Sequence, residues 1–367
     1  MVRAVIYNFV RNLTNNCLKD SSVDTPLTCG ELAALKSVWL KEACSRSDIA
    51  RLLGMSRPTA SVIVKTLIDR GWLTEDGCLR SSGGKPAIQL KITPNSFHSV
   101  GIDIGYENTV RALLLDAEGN IIRRKEISAS STYSDRAGAV RQLVGILRTP
   151  ETCGVGIAVS GTVDPQNSRI IHSANFELTG KPLAQEISES TDLPVYIDNR
   201  ARMAARAEIF SGIAREVSDF LLVSLGKGIG SALSFSGNLY CGVSGKAGEL
   251  RDIIVPDYSG TGVTTIENAL SESMLEMQDY PCAKMAQICA AGFKQVLNIA
   301  DLSVVILAGR FTLFPAAFRD ELQKCLNGID VRLAQFGRDS GACGSALAAV
   351  EQTIFNQNRF QIIRKGA

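Results

Sequence analysis

Residues 101–122 read GIDIGYENTVRALLLDAEGNII, and residues 221–240 read LLVSLGKGIGSALSFSGNLY. Each stretch is an apolar strand, a glycine turn, a second apolar strand, a Gly-Asn turn and a third strand. Gly105 and Gly119 in the first therefore have counterparts in Gly226 and Gly237 in the second. A Gly-Asn step suits a hairpin because both residues tolerate the positive φ of a tight turn. Repetition at this spacing predicts a duplicated domain with a cleft between its halves. The intervening sequence alternates strand and helix: CGVGIAVSG, the helix PLAQEISEST, LPVYI, the helix ARMAARAEIF, and later VVILAG between helices. Such alternation predicts mainly parallel sheets covered by helices. Glycine turns at strand ends also suit a phosphate, which backbone amides can then approach.

At 367 residues the chain is long enough for two or three domains. A hydrophobic fraction of 45% with 21% charged residues is that of an ordinary soluble globular protein. No apolar run is long enough to span a bilayer, and MVRAVIYNFVRNLTNN lacks a signal peptide's apolar core and cleavage site, so a cytoplasmic location is expected. The ten cysteines are scattered without a CxxC pair and read as reduced, mostly buried side chains. With His98 and His172 the only histidines, a Cys/His zinc site is hard to assemble, and no metal or cofactor is expected. Charge is unevenly spread. Residues 1–95 hold 13 Lys and Arg against 8 Asp and Glu, while the rest of the chain is slightly acidic. A polyanion would bind the N-terminal end.

That end has a matching pattern. In RSDIARLLGMSRPTASVIVKTLIDRGWLTEDG, starting at Arg46, Ile49, Ala50, Leu52 and Leu53 give a short helix an apolar face and Gly54 breaks it. Ser56 is a candidate N-cap for a second helix with apolar positions at Ala60, Ile63, Val64, Leu67 and Ile68. Arg57, Pro58, Thr59, Ser61 and Lys65 lie at its start or outward, where a helix-turn-helix meets base edges. WLTEDG and CLRSSGGKPAIQLKI then form two strands around a glycine-rich loop, the outline of a wing that offers Arg80, Gly84 and Lys85 to phosphates or a minor groove. A helix is expected at 29–42 to complete a three-helix unit, and another at 2–13.

From about Lys36 onward the chain resembles the ROK family of repressors, open reading frames and sugar kinases. The resemblance rests on the winged helix followed by GIDIG, LLLD, VSGTVD, SANFEL, LPVYI, SLGKGIGSAL and GVSGKAGEL in order. It implies an α/β, two-lobed, actin-like (ribonuclease H-like) sugar kinase fold behind the winged helix-turn-helix. The expected divisions are 1–95 for the DNA-binding domain with a helical extension, 96–215 for the first lobe and 216–367 for the second. The C-terminal helix is expected to return to the first lobe.

The resemblance also implies chemistry against which these residues can be tested. Aligning Ala204, Ala205, Ala207 and Glu208 on the family's alanines and glutamate puts Asn199 on the family asparagine and Arg200 on the catalytic aspartate. An arginine stays protonated and cannot be a general base. Asp198, two positions earlier than the family base, is a poor substitute. The first phosphate turn carries Tyr106 and Glu107 after Gly105, whereas the second, Gly226-Lys227-Gly228, could still favour phosphate. Asp103, the family's partner of magnesium-bound water, is retained, although it also suits a capping role. Asp252 stands where the family has a zinc-binding histidine, and YSGTGVTTIE replaces its cysteine run. Gly161, Asn175, Asn199 and Glu249 match family positions on the sugar side. Arg200 joins them as a contact for an anionic sugar derivative, or pairs with Asp252 and closes an unused pocket.

These readings lead to a regulator, most simply a repressor, that binds a double-stranded DNA operator as a homodimer or homotetramer. Its kinase-like body would be catalytically inactive and would bind a sugar or sugar derivative. The alternatives are an ATP-dependent sugar kinase with a fused DNA-binding domain, and a scaffold with no ligand.

Overall fold

The computed structural model describes residues 26–78, 86–106, 108–164, 166–257, 259–270 and 282–356. The helix expected at 2–13 lies outside them, as do Arg80, Gly84, Lys85 and Glu107. The chain divides into two compact units, one of Met1–His98 with Asp116–Asn120, the other of Ser99–Leu115 with Ile121–Ala367.

The first unit is built from three helices and a strand pair. α1 (Cys29–Trp39) starts at a capping box: the Thr28 hydroxyl accepts from the Glu31 amide at 3.2 Å, and the Glu31 carboxylate accepts from the Thr28 amide at 2.7 Å. It ends three residues before the expected Glu42, where Lys41 takes a left-handed φ of 59° and the chain turns. α2 (Arg46–Leu53) stops at Gly54, whose φ of 65° is the left-handed cap that glycine adopts without strain. α3 (Arg57–Asp69) is capped by Ser56, which accepts from the Thr59 amide at 3.2 Å. Ala60, Val64 and Leu67 of α3 are buried, as are Ile49 and Ala50 of α2 and Ala34, Leu35 and Val38 of α1. β1 (Leu73–Cys78) pairs antiparallel with β2 (Ile88–Ile92), from Leu73 opposite Ile92 to Cys78 opposite Ile88, and an irregularity in register falls between Glu75 and Cys78.

The second unit contains the duplication as two five-stranded sheets of the same construction. In the first, β3 (His98–Asp103), β4 (Thr109–Leu115) and β5 (Ile121–Ser128) form an antiparallel meander. β6 (Thr152–Val159) and β9 (Val195–Asn199) follow as a parallel pair, giving the order β5-β4-β3-β6-β9. A small hairpin, β7 (Gly161–Val163) with β8 (Ile170–Ser173), lies between them in sequence. In the second sheet, β10 (Phe220–Leu225), β11 (Ile229–Phe235) and β12 (Asn238–Tyr240) repeat the meander. β15 (Val304–Gly309) and β16 (Asp330–Leu333) add the parallel strands, in the order β12-β11-β10-β15-β16. A second small hairpin, β13 (Ile254–Pro256) with β14 (Val263–Thr265), precedes the last two strands. In both meander turns the positive φ falls on the glycine, 87° at Gly119 and 75° at Gly237, and also on Ser236, but not on the asparagine that follows.

α4 (Tyr133–Leu147) and α5 (Leu183–Thr191) share one apolar core with the first sheet. α7 and α8 below do the same for the second. α6 (Arg200–Ser211) packs Ala201, Ala204 and Ala205 against Phe220, Leu222 and Ile306 of the second sheet. α7 (Cys282–Ala300) and α8 (Ala316–Cys325) cover that sheet's other core with Phe293, Phe318 and Leu322. α9 (Ser340–Val350) lies on β6 and along α6. Glycine makes both approaches possible: a Cβ at Gly156 would lie 1.8 Å from the Ser345 carbonyl oxygen, and one at Gly344 would lie 1.7 Å from that of Met203. No helix among the described residues is long and apolar enough to cross a membrane.

Candidate functional site

On α3, Ser56, Arg57, Pro58, Thr59, Ser61 and Lys65 are all exposed. The Ser56 hydroxyl is held in the cap, 2.7 Å from that of Thr59. Arg57 and Lys65 make no hydrogen bond or ion pair among the described residues. The basic side chains nearby are engaged, Arg46 with Glu75 and Lys91 with Asp76. Val62, which the periodicity did not single out, is also turned to solvent.

In the second unit, Asp103 ends β3 with its side chain completely buried. One carboxylate oxygen accepts from the Gly105 amide at 2.9 Å; the other accepts from Arg200 Nε at 2.8 Å. The Arg200 guanidinium lies over the Tyr106 ring, 4.2 Å from its centroid, in cation–π geometry. The Tyr106 hydroxyl donates to the Arg338 carbonyl at 3.0 Å, and the guanidinium carbons of Arg338 and Arg111 stand 5.5 and 5.9 Å from the same ring. Burial disfavours the Arg200 cation, but Asp103 and Tyr106 outweigh this and hold its pKa above the ordinary arginine value. The side chain sits between the two glycine turns. A Cβ at Gly105 would come within 2.6 Å of Arg200 Cδ, and one at Gly226 would be 3.7 Å from its Nη1.

This arrangement corrects one expectation. Arg200 pairs with Asp103, which β3 places beside it, and not with Asp252. The Asp252 side chain is 82% exposed and lies 3.7 Å from Arg251. Asp198 is likewise occupied: Arg202 binds its Oδ1 through Nε at 2.8 Å and through Nη2, and the Asn199 amide donates to the same oxygen at 2.7 Å. Arg202 also donates to the Gly245 carbonyl at 3.0 Å, which ties α6 to the loop after β12.

The sugar-side residues fall into two groups. Asn199 caps α6, its Oδ1 accepting from the Ala201 and Arg202 amides at 2.8 and 3.3 Å, while its Nδ2 donates to the Gly161 carbonyl at 2.8 Å. Gly161 permits β7 to approach β8, since a Cβ there would lie 2.1 Å from the His172 carbonyl oxygen. Asn175 follows that hairpin and donates to the Ser131 carbonyl at 2.8 Å, with its own amide bound to Ser173 Oγ at 3.2 Å. The same Ser173 hydroxyl donates to the Ser160 carbonyl at 3.1 Å, so Asn175, Gly161 and Asn199 belong to one hydrogen-bonded neighbourhood. Glu249 stands apart, with Arg251 Nε at 3.7 Å. Nearby Glu267 has its carboxyl pushed up by burial, with Arg251 opposing the shift. Among the described residues no grouping of three or more His, Cys, Asp or Glu is placed to hold a metal ion.

Sequence reasoning missed the Asp198–Arg202 pair, although its i,i+4 spacing was a readable signal. It also took Tyr106 only as an obstacle to phosphate, where the ring is in addition the surface on which Arg200 rests.

Residues 99–278 match the ROK family, and residues 40–77 match the IclR helix-turn-helix domain. A xylose repressor of Caldicellulosiruptor bescii is 27% identical over 258 residues, which is 67% of this chain and 64% of that repressor. The chain thus spans less than two thirds of that relative's length. A solved ROK family transcriptional regulator, described as a homologue of the E. coli MLC protein, superposes with a TM-score of 0.73 at 16% identity, covering 92% of this chain and 98% of that one. A ROK family glucokinase from Streptomyces griseus, solved with glucose and AMPPNP, superposes with a TM-score of 0.59 at 22% identity, covering 69% of this chain and 99% of that one. At these identities the two structures establish the fold.

Proposed function

Taking the chain as a ROK-family body behind a helix-turn-helix of the IclR type, we propose that it is a DNA-binding transcriptional repressor whose kinase-like body is a catalytically inactive sensor. The observation that carries this reading is the outward face of α3. It presents Arg57, Thr59, Ser61 and Lys65 from the start of the second helix, with both cations unpaired among the described residues. Phosphates neutralise such side chains and base edges read the polar ones. The similarity to a xylose repressor supports the same reading.

The body supports the loss of phosphoryl transfer. Where the resemblance places a general base, the chain has a cation bound to Asp103, and that cation and Tyr106 stand beside the turn where a polyphosphate would be cradled. Asn175, Asn199, Gly161 and Glu249 are the proposed effector contacts. Because Asp103 already balances the charge of Arg200, a neutral sugar fits better than a sugar phosphate or sugar acid. A ligand that binds one conformation of the body better than another would shift DNA affinity by that difference. A homodimer or homotetramer in the cytoplasm, reading two-fold half-sites, completes the proposal.

The test is a thermal-shift screen of sugars, sugar phosphates and sugar acids on the full chain, followed by DNA titrations with each compound that stabilises it. One neutral sugar is expected to raise the melting temperature and to weaken operator binding at least about fivefold. Phosphorylation of any sugar from ATP and magnesium would overturn the inactive-body reading, and stabilisation by none would leave the body a scaffold.

A further inference from the structure

Val62 is 66% exposed, the most exposed large apolar side chain described in the helix-turn-helix unit. It lies on the outward stripe of α3 with Pro58, Ser61 and Lys65, at the i−4, i−1 and i+3 positions of that helix, and all three are exposed. Nothing within α3 competes for its place, because the Thr66 hydroxyl one turn on is bound back to the Val62 carbonyl at 3.1 Å. A valine in a helix holds one dominant side-chain rotamer, so its two methyl groups project in a fixed direction. What covers an apolar group flanked by unpaired Arg57 and Lys65 must itself be anionic and carry an apolar spot at matching depth. The DNA major groove has that chemistry at one base alone, the 5-methyl group of thymine. The uracil of RNA lacks it.

We propose that Val62 is a specificity-determining residue that packs its methyl groups against a thymine 5-methyl in each operator half-site. The inference rests on the DNA-binding reading and goes beyond it by naming the base. Arg57 and Lys65 would hold α3 in register on the phosphates, and Val62 would convert that register into a preference for thymine over cytosine at one position.

The test uses the full chain and duplexes enriched by it from a random pool. In the best duplex, each thymine is replaced singly by deoxyuridine, which removes only the methyl group, and binding is compared for the chain as it stands and for Val62→Ala. The expected result is a loss of about fourfold at one thymine per half-site, the worth of one buried carbon, and no further loss at that thymine with Val62→Ala. The deoxyuridine arm leaves the protein untouched, so it separates a lost contact from a damaged fold. Insensitivity to every replacement, or equal sensitivity in Val62→Ala, would overturn the assignment while leaving DNA binding intact. Failure to enrich any duplex would overturn the DNA-binding reading and this assignment with it.

Discussion

α3 and α6 both begin with an arginine behind a polar cap, Arg57 after Ser56 and Arg200 after Asn199. A cation in the first turn of a helix opposes the helix dipole, so each needs an offsetting partner. On α6 that partner is internal: Arg200, Arg202 and Arg206 are bound to Asp103, Asp198 and Glu351. On α3, Arg57 and Lys65 have no such partner among the described residues. The difference separates a charge kept for the fold from a charge kept for something outside it. It also indicates why a helix that the family uses for catalysis can here be a binding wall, its charges already paired.

The comparison can be broken at either helix. The largest effect is expected from Arg202→Ala, which leaves Asp198 buried without its cation. Loss of about 3–5 kcal/mol is expected, measured by urea unfolding of the full chain, because an uncompensated buried charge is costly. Arg57→Ala with Lys65→Ala should leave unfolding nearly unchanged yet weaken operator binding about a hundredfold. The slope of log affinity against log salt should fall by about two, checked by fluorescence anisotropy across a potassium chloride series. Arg200→Met keeps the bulk but removes the charge. With the Arg200 side chain 24% exposed, a cost of about 2 kcal/mol is expected in the same urea assay. Phosphoryl transfer to sugars should still be absent, since Tyr106 stays in the first turn. Ser56→Ala removes one cap bond from α3 and should cost about 1 kcal/mol.

How much of this was legible in sequence follows from the range of each interaction. The caps at Ser56 and Gly54 and the repeated meanders depend on neighbours a few residues apart, and periodicity shows them. The duplication was visible because each meander carries the same two glycine turns. The partner of Arg200 was not visible: Asp103 lies 97 residues earlier and reaches it only because β3 ends beside the start of α6. Asp252, the partner chosen from sequence, is 52 positions later and faces solvent. Asn199 was read as a ligand contact, whereas its amide is bound to the α6 start and to Gly161, so any sugar must share it. The end of α1 was placed late because nothing in Leu40-Lys41-Glu42 announces the left-handed Lys41.

The central claim is that the chain acts by reading DNA, and its most direct measure is the ratio of affinities for an enriched duplex and for its scrambled sequence at physiological salt. The account predicts a ratio of at least about a thousand, the range of specific binders. Equal affinity for the two would contradict it.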